Sequence, residues 1–254
     1  MNPRLVFAAL AAAVCSLPLA AQTVNLTLQD VAPTNAITWN YAPDALTESS
    51  YVGLLHFTDA GGNNVSTFCI DLAQNVSFGG NYTFQLTPVS DAPITSSSGT
   101  PMGAVKADRL SLLYGSVFGS SLANYAPLTT LDTAAKLQGF QLAVWNIVFD
   151  ATTDWSVTNN TGNFFVSSGD GASLAAVTQA NAYLSTVQAE VANGLGARMA
   201  LIALTDSAAQ PGIQDQLLPS GFLESVPEPT TYALLAGCFI LAGTLIRRRG
   251  PAAA

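Results

Sequence analysis

The chain has 254 residues and a formal net charge of −8, with eight Lys and Arg against sixteen Asp and Glu. That balance argues against nucleic acid and anionic membrane surfaces as partners, since both select basic faces. The sequence carries no metal-ligand cluster, phosphate loop or paired-carboxylate motif, so no cofactor is expected and nothing points to a turnover enzyme.

The first residues carry Arg4, then the apolar run LVFAALAAAVCSLPLA, then small residues. This is the order of a secretory signal peptide over residues 1–21, with Ala20, Ala21 or Gln22 at its edge, which makes the Sec translocon a partner during export. Cys15 is poorly placed for a lipid anchor, because Val14 stands where a small residue is wanted.

Thr23–Leu28 alternates and reads as a first strand, and Ala36–Tyr41 as a second. Tyr51–Thr58 and Val65–Leu72 read as two further strands. The hairpin sequence Asp59-Ala-Gly-Gly-Asn-Asn64 lies between them, and Cys69 falls near the middle of the second. Asn81–Val89 is another strand. Lys106–Phe118 reads as a short helix with Leu110, Leu113, Tyr114 and Val117 inward, and Gly119–Leu131 as a loop.

Leu137–Asp150 (LQGFQLAVWNIVFD) is the most apolar internal segment and helical in pattern, with Asp132 or Thr133 as its cap. Gln141 lies one turn before Trp145 on a face that should be buried. A buried amide without partners costs about 1–3 kcal/mol, so this glutamine is either bonded to backbone or chemically spent. Trp155, Phe164 and Phe165 anchor the polar stretch that follows. Ser173 then caps a long helix to Asn193-Gly194, with Val177, Ala180, Leu184, Val187 and Val191 on one face. Arg198–Thr205 reads as a late strand and Gln210–Leu218 as a tail. With no repeats and no clear linker, residues 23–222 are expected to form one α+β domain, a β-sheet or barrel-like N-terminal part with an inserted helical subdomain.

Near the C-terminus stand Pro227-Glu228-Pro229, an apolar run of about 17 residues, and Arg247, Arg248 and Arg249. The arginines put the tail on the cytoplasmic side of a membrane. The ordered set over 226–249 closely resembles the PEP-CTERM sorting signal of Gram-negative bacteria. The resemblance implies an exosortase as processing partner, membrane contact only through the sorting helix before processing, and a final place at the cell surface or in the extracellular matrix.

Cys15 and Cys238 fall in the two terminal segments, so Cys69 is the single cysteine of the exported part. Exported proteins normally carry paired cysteines or none. A lone one can be a buried inert thiol, half of an intermolecular disulfide, a nucleophile, or a sulfur bonded to something other than sulfur. It stands as Phe68-Cys69-Ile70-Asp71, and Gln141 stands as Phe140-Gln141-Leu142-Ala143-Val144-Trp145.

These two half-motifs, in this order, resemble the thioester domains of bacterial surface proteins. The resemblance covers roughly Leu54 to Asp150. It implies Cys69 as the thioester sulfur, Gln141 as the acyl donor, Trp145 as packing beside them, and an amine-bearing surface or polysaccharide as the target. His56 is the sole histidine. A hairpin turn centred near Gly61-Gly62 would set it opposite Thr67 and diagonal to Cys69 on one sheet face. There it would assist proton transfer or serve as a hydrogen-bonded strand histidine. A Cys–His hydrolase is disfavoured, because both residues would lie in mid-sheet with no residue to orient the ring. The other reading of the whole chain is a sorted, non-covalent component of an exopolysaccharide or biofilm matrix.

Overall fold

The computed structural model describes residues 22–93, 100–167, 169, 171–207 and 210–223. The expected signal peptide and the expected sorting signal lie outside them. Among the described residues no helix is long and apolar enough to cross a membrane. The elements all belong to one compact unit that ends at Ser220.

Among the described residues nine strands form two sheets. They are β1 (Thr23–Ala32), β2 (Ala36–Tyr41), β3 (Leu46–Tyr51), β4 (Leu54–Asp59), β5 (Asn64–Cys69), β6 (Asn81–Thr87), β7 (Phe164–Val166), β8 (Leu201–Asp206) and β9 (Gln216–Pro219). Six close into an antiparallel barrel in the order β1-β4-β5-β9-β8-β6, and β3-β2-β7 form a small separate sheet. Closure leaves the barrel no free edge. Its interior is mostly apolar, with Leu26, Leu28, Phe57, Val65, Phe84 and Leu204 all buried, and it holds a buried polar pair, the Thr67 hydroxyl donating to Gln216 Oε1 at 3.0 Å. Phe57 and Phe84 meet edge to face, with centroids 5.9 Å apart.

The helices are α1 (Gly103–Phe118), the single turn α2 (Pro127–Thr130), α3 (Ala134–Phe149) and α4 (Gly171–Asn193). Thr133 caps α3 by accepting from the Lys136 N–H at 3.3 Å, and Asp132 pairs with the Lys136 ammonium at 2.7 Å. Every residue of α3 from Leu137 to Phe149 is buried, so it is a core helix with no solvent stripe. It packs closely on α4 at Gly139, where a Cβ would come within 2.8 Å of Gln179 and 3.0 Å of the Ala176 carbonyl. At its end the buried Asp150 carboxylate accepts the backbone N–H groups of Asn163 and Phe164, and so fixes the start of β7.

Several sequence expectations change. β5 stops at Cys69, so the cysteine is the last residue of its strand instead of lying near the middle. Tyr51–Thr58 is split: Tyr51 ends the polar strand β3, and β4 starts at Leu54. The segment read as a tail contains β9, wholly buried, which closes the barrel against β5 and β8. In α4, Ser173 lies inside the first turn and does not cap it, while Val191 is exposed. Val117 is half-buried, and Phe118 takes the inward position at the end of α1.

Candidate functional site

The hairpin register decides which chemistry meets at the end of β5. Leu55 pairs with Thr67 and His56 with Ser66. Continuing two steps past Leu55–Thr67 would set Gly53 opposite Cys69, but β4 begins at Leu54. Gly53 is held elsewhere, since a Cβ on it would lie 2.2 Å from the Ala32 carbonyl oxygen. On the other side β9 serves Phe68 and Ile70, the Ile70 N–H donating to the Asp215 oxygen at 3.0 Å. The Cys69 N–H and C=O therefore face a place where no strand runs.

The Gln141 side chain fills that place. Cys69 N–H donates to Gln141 Oε1 at 2.9 Å, and Gln141 Nε2 donates to the Cys69 oxygen at 2.8 Å. The amide acts as the missing peptide group, with one acceptor and one donor in register, and both residues are buried. Asparagine is a methylene shorter and glutamate lacks the donor, so glutamine fits this gap best.

This arrangement also brings the two sequence half-motifs together. Cys69 Sγ belongs to the residue whose main chain grips the Gln141 carboxamide. The Cys69 thiol donates to the Asp71 backbone oxygen at 2.8 Å, and the Asp71 N–H donates to the sulfur at 3.3 Å. Burial pushes the Cys69 thiol well above its usual range, and the Asp71 carboxylate adds to this. The Asp71 N–H and the Trp145 indole N–H act the other way, favouring thiolate. That indole N–H is buried and has no hydrogen-bond partner of ordinary geometry among the described residues.

Aromatic contacts lock the pair from both sides. Phe68, next to the cysteine, meets Phe140, next to the glutamine, at 4.6 Å between centroids, and Tyr114 packs on both. Trp145 meets Trp39 of β2 and Phe164 of β7, each at 5.7 Å, which ties α3 to the small sheet. A cavity of about 610 Å³ opens onto the pair. Its floor includes Cys69, Asp71, Gln141, Trp145 and Trp39, and its rim includes Asp44, Glu48, Tyr51, Asn75 and Phe78.

His56 is not part of this constellation. The hairpin turn is one residue out of step with the expected one, and a one-residue slip moves a side chain to the opposite face of the sheet. His56 instead sits 3.3 Å from Ser66 Oγ through Nδ1 and 3.9 Å from Asp30 through Nε2, away from the cavity lining. Desolvation lowers its pKa, with Asp30 opposing.

Asp71, to which the sequence assigned no role, lines the same cavity. It is fully buried, accepts from the Ala73 N–H at 2.8 Å, and burial raises its pKa to about 6. Its only signal in the sequence was its position two residues after Cys69. Among the described residues no group of His, Cys, Asp and Glu side chains is arranged to hold a metal ion. The sorting residues Pro227, Glu228, Pro229 and Arg247–Arg249 lie outside the described residues. No family model, curated protein or solved structure matches the chain.

Proposed function

We propose that this is an exported bacterial surface or matrix protein whose thioester-domain-like α+β unit attaches covalently to amines through a Cys69–Gln141 thioester. The observation that carries the reading is the double hydrogen bond between the Gln141 carboxamide and the Cys69 main chain. It polarises the side-chain carbonyl with a backbone N–H and fixes it beside a thiol on the same residue.

The chemistry follows from those contacts. The Cys69 sulfur, having lost its proton, attacks Cδ of Gln141. Negative charge gathers on Oε1, where the Cys69 N–H stabilises it as an oxyanion-hole donor does. Nε2 takes up a proton and leaves as ammonia, and the C–S bond closes. Ammonia vacates a position hydrogen-bonded to the Cys69 carbonyl oxygen. An incoming amine that takes that position is held against the acyl carbon. Its attack breaks the C–S bond, transfers the Gln141 acyl group to nitrogen and returns Cys69 as a thiol. The reaction runs once per molecule.

Export by the Sec route and exosortase processing at Pro227-Glu228-Pro229 complete the proposal. They deliver the unit to the outside of a Gram-negative cell, where amine-bearing surfaces and polysaccharides are within reach. The direct test is labelling with methylamine and peptide mapping. Incorporation at Gln141 alone, with one new free thiol at Cys69, supports attachment. No incorporation, with Cys69 titrating as a thiol from the outset after unfolding, overturns it in favour of a non-covalent matrix component.

A further inference from the structure

The floor of the 610 Å³ cavity is the reactive pair, but its rim has a chemical character of its own. The described residues that line it include the carboxylates Asp44, Glu48 and Asp71 and no Lys, Arg or His. Asp44 and Glu48 are exposed and make no salt bridge among the described residues. Tyr51 and Phe78, also in the lining, are 51% and 56% exposed, unusual for aromatic side chains, and their rings pair with centroids 6.2 Å apart. Deep inside, Trp145 lines the same space, and its buried indole N–H has no hydrogen-bond partner of ordinary geometry among the described residues. The cavity thus runs from a negative, aromatic mouth to a buried acyl carbon with a spare donor beside the sulfur.

A reacting amine enters nitrogen-first and leaves the rest of its chain in the mouth. Aromatic faces and unpaired carboxylates both attract cations, the faces within about 6 Å of a ring centroid. We propose that the cavity selects nucleophiles with a primary amine at the tip of an unbranched alkyl chain and a second positive charge behind it. Asp44, Glu48, Tyr51 and Phe78 hold that second charge. A free polyamine and a lysine adjoining another basic residue share this chemistry. Amines bearing a carboxylate are rejected.

The proposal rests on the thioester reading above and adds its specificity. The leading ammonium must lose a proton before it attacks. Among the described residues Asp71 is the only carboxylate on the floor, and it takes that proton. The nitrogen lone pair then bonds to Gln141 Cδ, the C–S bond breaks towards sulfur, the second N–H proton passes to the Cys69 thiolate, and Asp71 returns the first proton to water. No oxidant or further reactant is needed. Trp145 and the Asp71 N–H stabilise the leaving thiolate.

The test uses the exported protein purified without reductant. Its content of the ammonia-deficient species is first measured by intact mass, and single-turnover aminolysis is then timed with cadaverine, with 6-aminohexanoate and with a Lys-Arg dipeptide amide. Cadaverine and aminohexanoate present similar chains with opposite charges at the far end. Cadaverine should react about tenfold faster at low salt, with the gap narrowing as salt screens the rim. In Asp44→Asn/Glu48→Gln the ratio should fall to within about twofold. Because the ratio is taken within one protein sample, partial misfolding does not set it.

Equal rates for the two ligands on a protein that shows the mass deficit overturn the selectivity and leave the thioester standing. Absence of the mass deficit overturns both. A Lys-Arg peptide that outpaces cadaverine assigns the mouth to basic protein segments, and the reverse assigns it to polyamines. Either result supports the charge rule.

Discussion

Replacing Cys69 and Gln141 separately distinguishes a cross-link from a hydrogen-bonded clamp. The two residues are 72 apart in sequence, and a covalent bond between them would close a loop of that size. By the chain-entropy relation used for disulfides, a loop of that length removes about 4 kcal/mol of unfolded-state entropy. Cys69→Ala leaves the backbone N–H and C=O in place, so both bonds to Gln141 survive it. Without a thioester it removes only a small buried thiol and should cost about 1 kcal/mol. With a thioester it should cost about 5 kcal/mol, a fall in melting temperature on the order of 10 °C for a domain of this size. Gln141→Ala strips partners from two buried main-chain groups as well, at about 1–3 kcal/mol each, so it is costly with or without the cross-link. Urea unfolding of the two variants, and of wild type before and after methylamine, reads these differences. Methylamine-treated wild type should fall towards Cys69→Ala. A Cys69→Ala protein within about 1 kcal/mol of wild type, with Gln141→Ala much weaker, would refute the cross-link and leave a structural clamp.

Three further outcomes follow from the site. Burial raises Asp71 from 3.8 to about 6, so between about pH 4 and 6 the folded state binds more protons than the unfolded chain. Stability is then greatest below that window, falls through it by about 3 kcal/mol for this group, and levels above it. Asp150, also raised to about 6 by burial, contributes in the same direction, so Asp71→Asn should reduce the slope of a pH–urea series without abolishing it. Trp145→Phe keeps the packing against Trp39 and Phe164 but removes the indole donor from the sulfur; aminolysis should slow by roughly tenfold, measured as single-turnover thiol release. His56→Gln should leave that rate within about twofold, because His56 lies off the cavity; a much larger loss would restore the histidine to the chemistry.

The parts of the fold that were legible carried strong local signals. Alternating β1, β2 and β6 and the apolar α3 were readable because their patterns match their burial. β3 was not, since Leu46–Tyr51 is polar on both faces and its partner β2 supplies what order it has. β9 is four residues long and follows a turn-rich stretch, so only its pairing with β5 and β8 reveals it. Both halves of the candidate site stood out because a lone cysteine and a glutamine on an apolar helix are chemically odd. Their meeting depends on β4 starting only at Leu54, one residue past the position opposite Cys69, and no local pattern encodes that. The cavity rim was illegible for a similar reason. Tyr51 and Phe78 are 27 residues apart in sequence, and only the fold brings their rings together. The misplaced His56 shows how sharply a hairpin register matters: a single residue in the turn decides whether a side chain faces the chemistry.

The intact mass of the exported protein, purified without reductant and weighed after rapid denaturation in acid, tests the central claim most directly. The thioester account predicts a species lighter than the sequence mass by one ammonia, which gains the mass of methylamine on treatment and is absent from both Cys69→Ala and Gln141→Ala. A full sequence mass in the untreated protein, with Cys69 freely alkylated once unfolded, would contradict it.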